Sequence, residues 1–252
     1  MIKGIIFDVD NTLIDFYRMK SMSISNSIDA MIDAGLKIKK KEALKIIHEI
    51  FNELGMEAHL LFQSFSKKVY GKIDYKIVAA AIVAHQTVWN GFLHTFPGVI
   101  ESLIELKQMG LKLGIVSDAR KMHAYERLYG MRIVYFFDVV VTYDDTRKYK
   151  PSRRPFVHAL RSLKLKPENC VMLGDWIKGD VGGALKMGMY ACLAKYGAPD
   201  HESRKMMNMN HVKKYDIHPD FVLKEFSEIV GLVKKLNSIE DKKHNKSKKV
   251  KR

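Results

Sequence analysis

Four short stretches of this 252-residue chain carry side chains able to act together on a phosphate group. They are Phe7-Asp8-Val9-Asp10-Asn11-Thr12, Ser117-Asp118, Lys150-Pro151, and Gly174-Asp175-Trp176-Ile177-Lys178-Gly179-Asp180. Gathered at one edge they would supply carboxylates, a hydroxyl and an ammonium, a set suited to a phosphate held with Mg²⁺. Magnesium takes oxygen ligands and is usually held by one or two carboxylates, water and substrate phosphate, so Asp8, Asp175 and Asp180 are its candidate ligands. Such a cation would offset the repulsion between an anionic nucleophile and an anionic phosphate.

The elements that must position these residues are readable from pattern. Short apolar, β-branched runs recur at Gly4 to Phe7, Leu111 to Val116, Val139 to Thr142, Cys170 to Leu173, Tyr190 to Ala194 and Phe221 to Leu223. Helical patterns separate them. Val99, Ile100, Leu103 and Leu106 recur at helical spacing between Pro97, which suits a helix start, and Gly110, which suits a C-terminal cap. Phe156, Leu160 and Leu163 form another stripe. Strands alternating with helices predict a parallel sheet, and ligands bind at the carboxyl ends of such strands, where each motif falls.

The segment 15–96 breaks the alternation. It shows only helical periodicity, through Ile24, Ile28, Met31 and Ile32, then Leu44, Ile47, Phe51 and Leu54, with a third helix expected after Asp74. A plain βαβ crossover needs far fewer residues, so the segment reads as an inserted helical domain. The expected organisation is an α/β core over 1–14 and 97–235, a helical cap over 15–96 and a basic tail over 236–252.

The order and spacing of D-x-D-x-T after the first strand, Ser after the second, Lys-Pro, and G-D-x4-D resemble the four motifs of the haloacid dehalogenase superfamily, across about Lys3 to Leu223. The insertion between the first two motifs resembles the cap of the subfamily containing phosphoglycolate phosphatases, β-phosphoglucomutases and 2-haloacid dehalogenases. The resemblance implies a Rossmann-like, doubly wound parallel sheet. It implies Asp8 as nucleophile, forming an aspartyl-phosphate, with a second Asp8 oxygen and the Asp10 carbonyl on Mg²⁺. It implies that Asp10 protonates the leaving alkoxide and then deprotonates the attacking water. Thr12, Ser117, Asp118 and Lys150 would hold the phosphoryl group, and Asp175 and Asp180 would serve the metal. Because the dehalogenases are expected to lack the second Asp, Asp10 argues for phosphoryl transfer. Two departures stand out. Asp118 occupies a position where many relatives carry Asn, and Pro-Ser-Arg-Arg-Pro follows Lys150 in place of Pro-Asp-Pro; Lys148 is a less well-placed competitor for the Lys150 role.

Singly, each motif has an ordinary structural reading: Asn11 and Thr12 as a helix cap, Ser117 and Asp118 as an N-cap pair, Lys150 as a solvated lysine. Their roles come from occurring together. The ten histidines form no H-E-x-x-H or other paired helical spacing and read as surface or core residues. Gly182, Gly183 and Gly188 fit close helix packing, since G-x-G-x-x-G is absent. Phe16, Tyr17, Arg18 and Lys20, at the expected hinge into the cap, could reach substrate, and Trp176 either lines the entrance or packs.

Composition bounds the rest. A chain that is 47% hydrophobic can bury a full core, and its two cysteines, Cys170 and Cys192, lie in apolar runs with no disulfide or zinc pattern, which suits a reducing compartment. The Ile5-Ile6-Phe7 run is too short for a signal-peptide core and the longest apolar stretch, Ile77 to Ala84, is too short for a membrane span, so a cytoplasmic protein without a membrane partner is expected. Of the net charge of +15, the stretch from Leu236 to Arg252 supplies +5, from seven Lys or Arg against two acids, and such a tail is expected to be solvated and disordered. That distribution argues against nucleic acid as the main partner. The expectation is a Mg²⁺-dependent phosphatase of a small phosphomonoester, such as a sugar phosphate, a triose phosphate or phosphoglycolate. A sugar phosphomutase is the alternative, and a weakly catalytic protein binding RNA or acidic partners through the tail is the alternative of another class. Nothing in the residues selects the substrate or the oligomeric state.

Overall fold

The computed structural model describes residues 1–55, 60–206 and 215–250, with side chains described to residue 239. One sheet holds six strands, β1 (Gly4–Phe7), β2 (Lys112–Val116), β3 (Val139–Val141), β4 (Cys170–Gly174), β5 (Tyr190–Ala194) and β6 (Phe221–Leu223). Their order is β3-β2-β1-β4-β5-β6 and every pairing is parallel. This is the doubly wound order, and chain direction across the sheet reverses between β1 and β4, the point at which such sheets bind ligands. β1 and β4 are buried along their whole length, as central strands covered on both faces must be.

Four helices follow β1: α1 (Phe16–Asp33), α2 (Lys40–Leu54), α3 (Leu61–Tyr70) and α4 (Tyr75–Phe92). Further α-helices among the described residues are α5 (Val99–Gln108), α6 (Lys121–Gly130), α7 (Tyr143–Thr146), α8 (Arg153–Leu163), α9 (Gly182–Met187), α10 (His201–Met206) and α11 (Glu228–Val250). The chain divides into two compact units, one of Met1–Asp15, His94–Ala198 and Lys214–Arg252, the other of Phe16–Leu93 and Pro199–Lys213.

In the first unit, α8 lays Phe156, Ala159, Leu160 and Leu163 against Ile6, Val116, Val141 and Met172 of the sheet, so the expected stripe is the buried one. Gly183 lies against the Phe156 ring, whereas Gly188 ends α9 in a left-handed conformation with open space around it. Cys170 and Cys192 are unbridged and buried, and burial pushes both thiols up to about 12. The second unit has its own core, with Ile24, Ile28 and Met31 of α1 meeting Ile47, Phe65, Ile77 and Ala81. Buried Ser27 donates through Oγ to the Ser23 carbonyl at 2.7 Å and to the Ala81 carbonyl of α4 at 3.1 Å, which lets the two helices approach closely. The Asp74 side chain accepts from the Lys76 and Ile77 amides and so starts α4 where a helix was expected.

Three features differ from the sequence expectation. The helix after Asp74 is the fourth, because the ten-residue α3 buries only Leu61, Phe62, Phe65 and Ser66 and its stripe is too short to stand out. The segment Pro199–Lys213, expected within the core, clusters with the helical unit: Ser203 Oγ lies 3.2 Å from Ser21 Oγ, and His48 Nε2 lies 2.5 Å from the Met206 carbonyl. The tail expected to be disordered is helical as far as Val250, because α11 is nucleated in the core by Ile229, Val230, Leu232 and Val233 and its continuation is rich in helix-tolerant lysines. Among the described residues, no helix is long and apolar enough to cross a membrane.

Candidate active site

The register between β1 and β4 sets the site. Phe7 pairs with Leu173, and the Asp8 amide donates to the Leu173 carbonyl at 2.9 Å, so the residues just beyond both strand ends, Asp8 and Asp175, emerge side by side. After Asp8 the chain turns sharply. Asn11 takes a φ of 58°, a left-handed conformation that Asn tolerates better than most residues, and its amide donates to the Ile14 carbonyl at 2.7 Å. The far side of this turn is pinned from the end of β5. The Tyr196 hydroxyl donates to the Thr12 carbonyl at 2.9 Å, and Gly197 approaches so closely that a Cβ would sit 1.6 Å from the Asn11 carbonyl oxygen.

Ser117 and Asp118 follow β2. Ser117 is buried and its Oγ accepts from the Ala119 amide at 3.1 Å. Asp118 Oδ1 accepts from the backbone amide of Lys150 at 2.8 Å, and burial raises its carboxyl above the usual range. Asp118 is thus placed on the main chain of the third motif. The Lys150 side chain is only 4% exposed as a residue, and Nζ lies 2.5 Å from Asp8 Oδ1, 2.6 Å from Asp180 Oδ1 and 3.1 Å from the Val116 carbonyl. Lys148 is exposed, so Lys150 is the ammonium inside the site.

The fourth motif folds into one wide, π-type turn over Ile177–Val181, a local irregularity often found at functional sites. It is locked by a reciprocal pair: the Trp176 amide donates to Asp180 Oδ2 at 3.0 Å, and the Asp180 amide donates to the Trp176 carbonyl at 2.8 Å. Gly174 must lack a side chain here, since a Cβ would lie 2.3 Å from the Asp180 carboxyl. Trp176 itself packs on Gly179 while leaving 40% of its surface exposed.

Asp8, Asp175 and Asp180 each offer an oxygen, all within 4.8 Å of one another. Burial pushes the Asp8 carboxyl up to about 8, with Lys150 opposing and Asp180 and Asp10 adding to the rise. Asp175 is held well above the carboxylate range by burial and then by Asp8 and Asp180. Burial alone would lower the Lys150 ammonium, but Asp180, Asp8 and Asp118 outweigh it and hold the ammonium well above its ordinary value. Three carboxylates thus share one buried lysine, an electrostatic deficit that a hard divalent cation would fill, and oxygen-only ligands at this separation fit Mg²⁺. The Thr12 Oγ is likewise buried and has no hydrogen-bond partner among the described residues.

Asp10, expected to move the proton, accepts at Oδ2 from Arg127 Nη1 at 2.8 Å. Sequence inspection had not singled out Arg127. The available clue was a charge on the buried stripe Ala124, Arg127, Leu128 of α6.

An open α/β sheet that gathers buried carboxylates and a lysine at its switch point has its ligand site at the carboxyl ends of its strands. The family model described as haloacid dehalogenase-like hydrolase matches residues 5–194. The chain is 33% identical over 236 residues to a glyceraldehyde 3-phosphate phosphatase of Methanocaldococcus jannaschii, covering 94% of this chain and 99% of that protein. It is 35% identical over 193 residues to a protein of the same name from Methanothermobacter thermautotrophicus, covering 77% and 85%. The crystal structure of an HAD phosphatase from Thermococcus onnurineus has the same fold, with a TM-score of 0.62 at 24% identity, covering 92% of this chain and 98% of that one. The chain therefore belongs to the haloacid dehalogenase-like hydrolases, and its enzyme class is that of their phosphatases.

Proposed function

We propose that this protein is a Mg²⁺-dependent phosphatase that hydrolyses a small phosphomonoester, a triose phosphate foremost, through an aspartyl-phosphate on Asp8. The observation that carries the reading is the buried cluster in which Lys150 bridges Asp8 and Asp180 beside Asp175. Support for a triose phosphate comes from the two relatives named glyceraldehyde 3-phosphate phosphatase. Mg²⁺, held by Asp8, Asp175, Asp180 and the Asp10 carbonyl, would supply charge neutralisation for the transferring phosphoryl group.

The chain's own residues divide the remaining work. The Asp8 carboxylate attacks phosphorus while Asp10 gives its proton to the departing alkoxide, releasing the alcohol. Asp10, now a carboxylate, takes a proton from water, which attacks the phosphorus of the aspartyl-phosphate; the P–O bond to Asp8 breaks, inorganic phosphate leaves and Asp8 is regenerated. Lys150 fixes the orientation of Asp8 and, with the Ser117 and Thr12 hydroxyls, holds phosphoryl oxygens. Asp118 acts one step back by fixing the main chain of Lys150. A cytoplasmic location accords with two buried, unbridged cysteines.

The test is release of inorganic phosphate from glyceraldehyde 3-phosphate, dihydroxyacetone phosphate, glucose phosphates and phosphoglycolate, with Mg²⁺ or EDTA, comparing wild type with Asp8→Asn. Turnover that needs Mg²⁺ and vanishes in the variant is expected. Wild-type inactivity across the panel would overturn the reading, and a preference for hexose phosphates would overturn its triose part.

A further inference from the structure

We infer that Arg127 is a positioning residue that holds the Asp10 carboxyl in place for both of its proton transfers, an inference that rests on the acid and base role proposed for Asp10. The side chain is 0% exposed and sits on the core-facing stripe of α6, between Ala124 and Leu128. A whole buried ion pair is commonly replaceable by hydrophobic residues of similar volume without loss of stability, so stability gives no reason to place a charged pair here. What the pair does supply is geometry.

Arg127 Nη1 donates to Asp10 Oδ2 at 2.8 Å from inside the protein, while the Asp10 side chain keeps 25% of its surface exposed. One carboxyl oxygen is thus held by a fully buried guanidinium while the side chain as a whole stays partly accessible. A guanidinium stays protonated at any working pH, so Arg127 neither gives nor takes the proton; it holds Oδ2 by a charge-assisted hydrogen bond. Oδ1 is enclosed by the protein, and Oδ2 is the oxygen whose place Arg127 sets. Two successive transfers by one carboxyl need the same oxygen in the same place twice, and proximity of that kind is lost by displacements of about an ångström.

The experiment uses the full-length protein with Mg²⁺ and two esters, glyceraldehyde 3-phosphate, whose alkoxide needs a proton to leave, and para-nitrophenyl phosphate, whose leaving group does not. Arg127→Met is expected to lower kcat on the triose phosphate about 100-fold with KM changed less than about threefold, and Arg127→Lys to recover part of that loss. On the nitrophenyl ester, Arg127→Met should release a burst of about one nitrophenolate per enzyme and accumulate phosphoenzyme, because only the second step still needs Asp10. In an Asp10→Asn background, Arg127→Met should cost nothing further. Wild-type turnover matched by Arg127→Met would overturn the inference alone. So would a fall in kcat that tracks a fall in Tm and that Lys does not rescue, since that pattern marks a purely structural arginine. Wild-type inactivity on both esters would instead overturn the phosphatase reading and this inference with it.

Discussion

Lys150 Nζ and Asp8 Oδ1 lie 2.5 Å apart, both side chains buried and 142 positions apart in sequence, and the same ammonium reaches Asp180 at 2.6 Å. Removing one member of a buried ion pair leaves the other charged and dry, at a cost of about 3–5 kcal/mol. Lys150→Met should therefore lower the unfolding free energy by about that much in guanidinium denaturation and reduce phosphate release at least about 100-fold. Unchanged stability would mean that the pair is not buried in solution.

The Asp118 carboxyl accepts the Lys150 amide at 2.8 Å, and its Oδ1 could be supplied as well by an asparagine. Asp118→Asn should keep the bond and leave kcat within about threefold of wild type, whereas Asp118→Ala should lose about 1 kcal/mol of stability along with turnover. If both variants lost activity equally, the charge and not the acceptor would be what matters at this position.

Gly197 is held against the Asn11 carbonyl with no room for a methyl group. Gly197→Ala must push the Asp8–Thr12 turn aside, and a displacement of that size should cost at least about 100-fold in kcat. Gly231, within α11 and with open space around it, is the matched control: Gly231→Ala should raise stability by up to about 1 kcal/mol, as Ala does over Gly in a helix interior. Equal behaviour of the two variants in activity assays would count against the close approach.

His85 stands in the helical unit between the Phe62 and Trp89 rings, and burial, then the charge of Lys20, lowers its imidazole to about 4. Its folded value lies below the unfolded one near 6.5, so the unfolded chain takes up the proton first as pH falls. The contribution of His85 is fully present above about pH 6.5 and is lost progressively towards about pH 4. Wild type should lose more stability between pH 7 and pH 5 than His85→Phe does, measured by urea denaturation at both values. Parallel loss in the two proteins would place the ring in water.

Much of the sheet and the four motifs was legible because each catalytic run directly follows a short β-branched run. Periodicity located β1 at Gly4–Phe7 and β5 at Tyr190–Ala194 to the residue. The resemblance of four motifs in order then assembled residues as far apart as Asp8 and Lys150, which no local pattern does. Arg127 escaped because its meaning lies in its contact with Asp10, 117 positions away, and helix α6 reads as an ordinary amphipathic segment. Segment Pro199–Lys213 escaped for the same reason: what assigns it to the helical unit is Ser203 meeting Ser21 and Met206 meeting His48. The helix as far as Val250 was hidden by composition, since a lysine-rich tail looks the same whether or not a docked first turn nucleates it.

Because Pro199–Lys213 belongs with Phe16–Leu93, the helical unit is built from two separate stretches of chain where a single insertion would be one. It is therefore not an exchangeable cassette. Transplanting residues 16–93 from a relative to alter substrate preference would strand Ser203 and Met206 without the partners they have in this chain, so recombination among these enzymes should succeed only when both segments travel together.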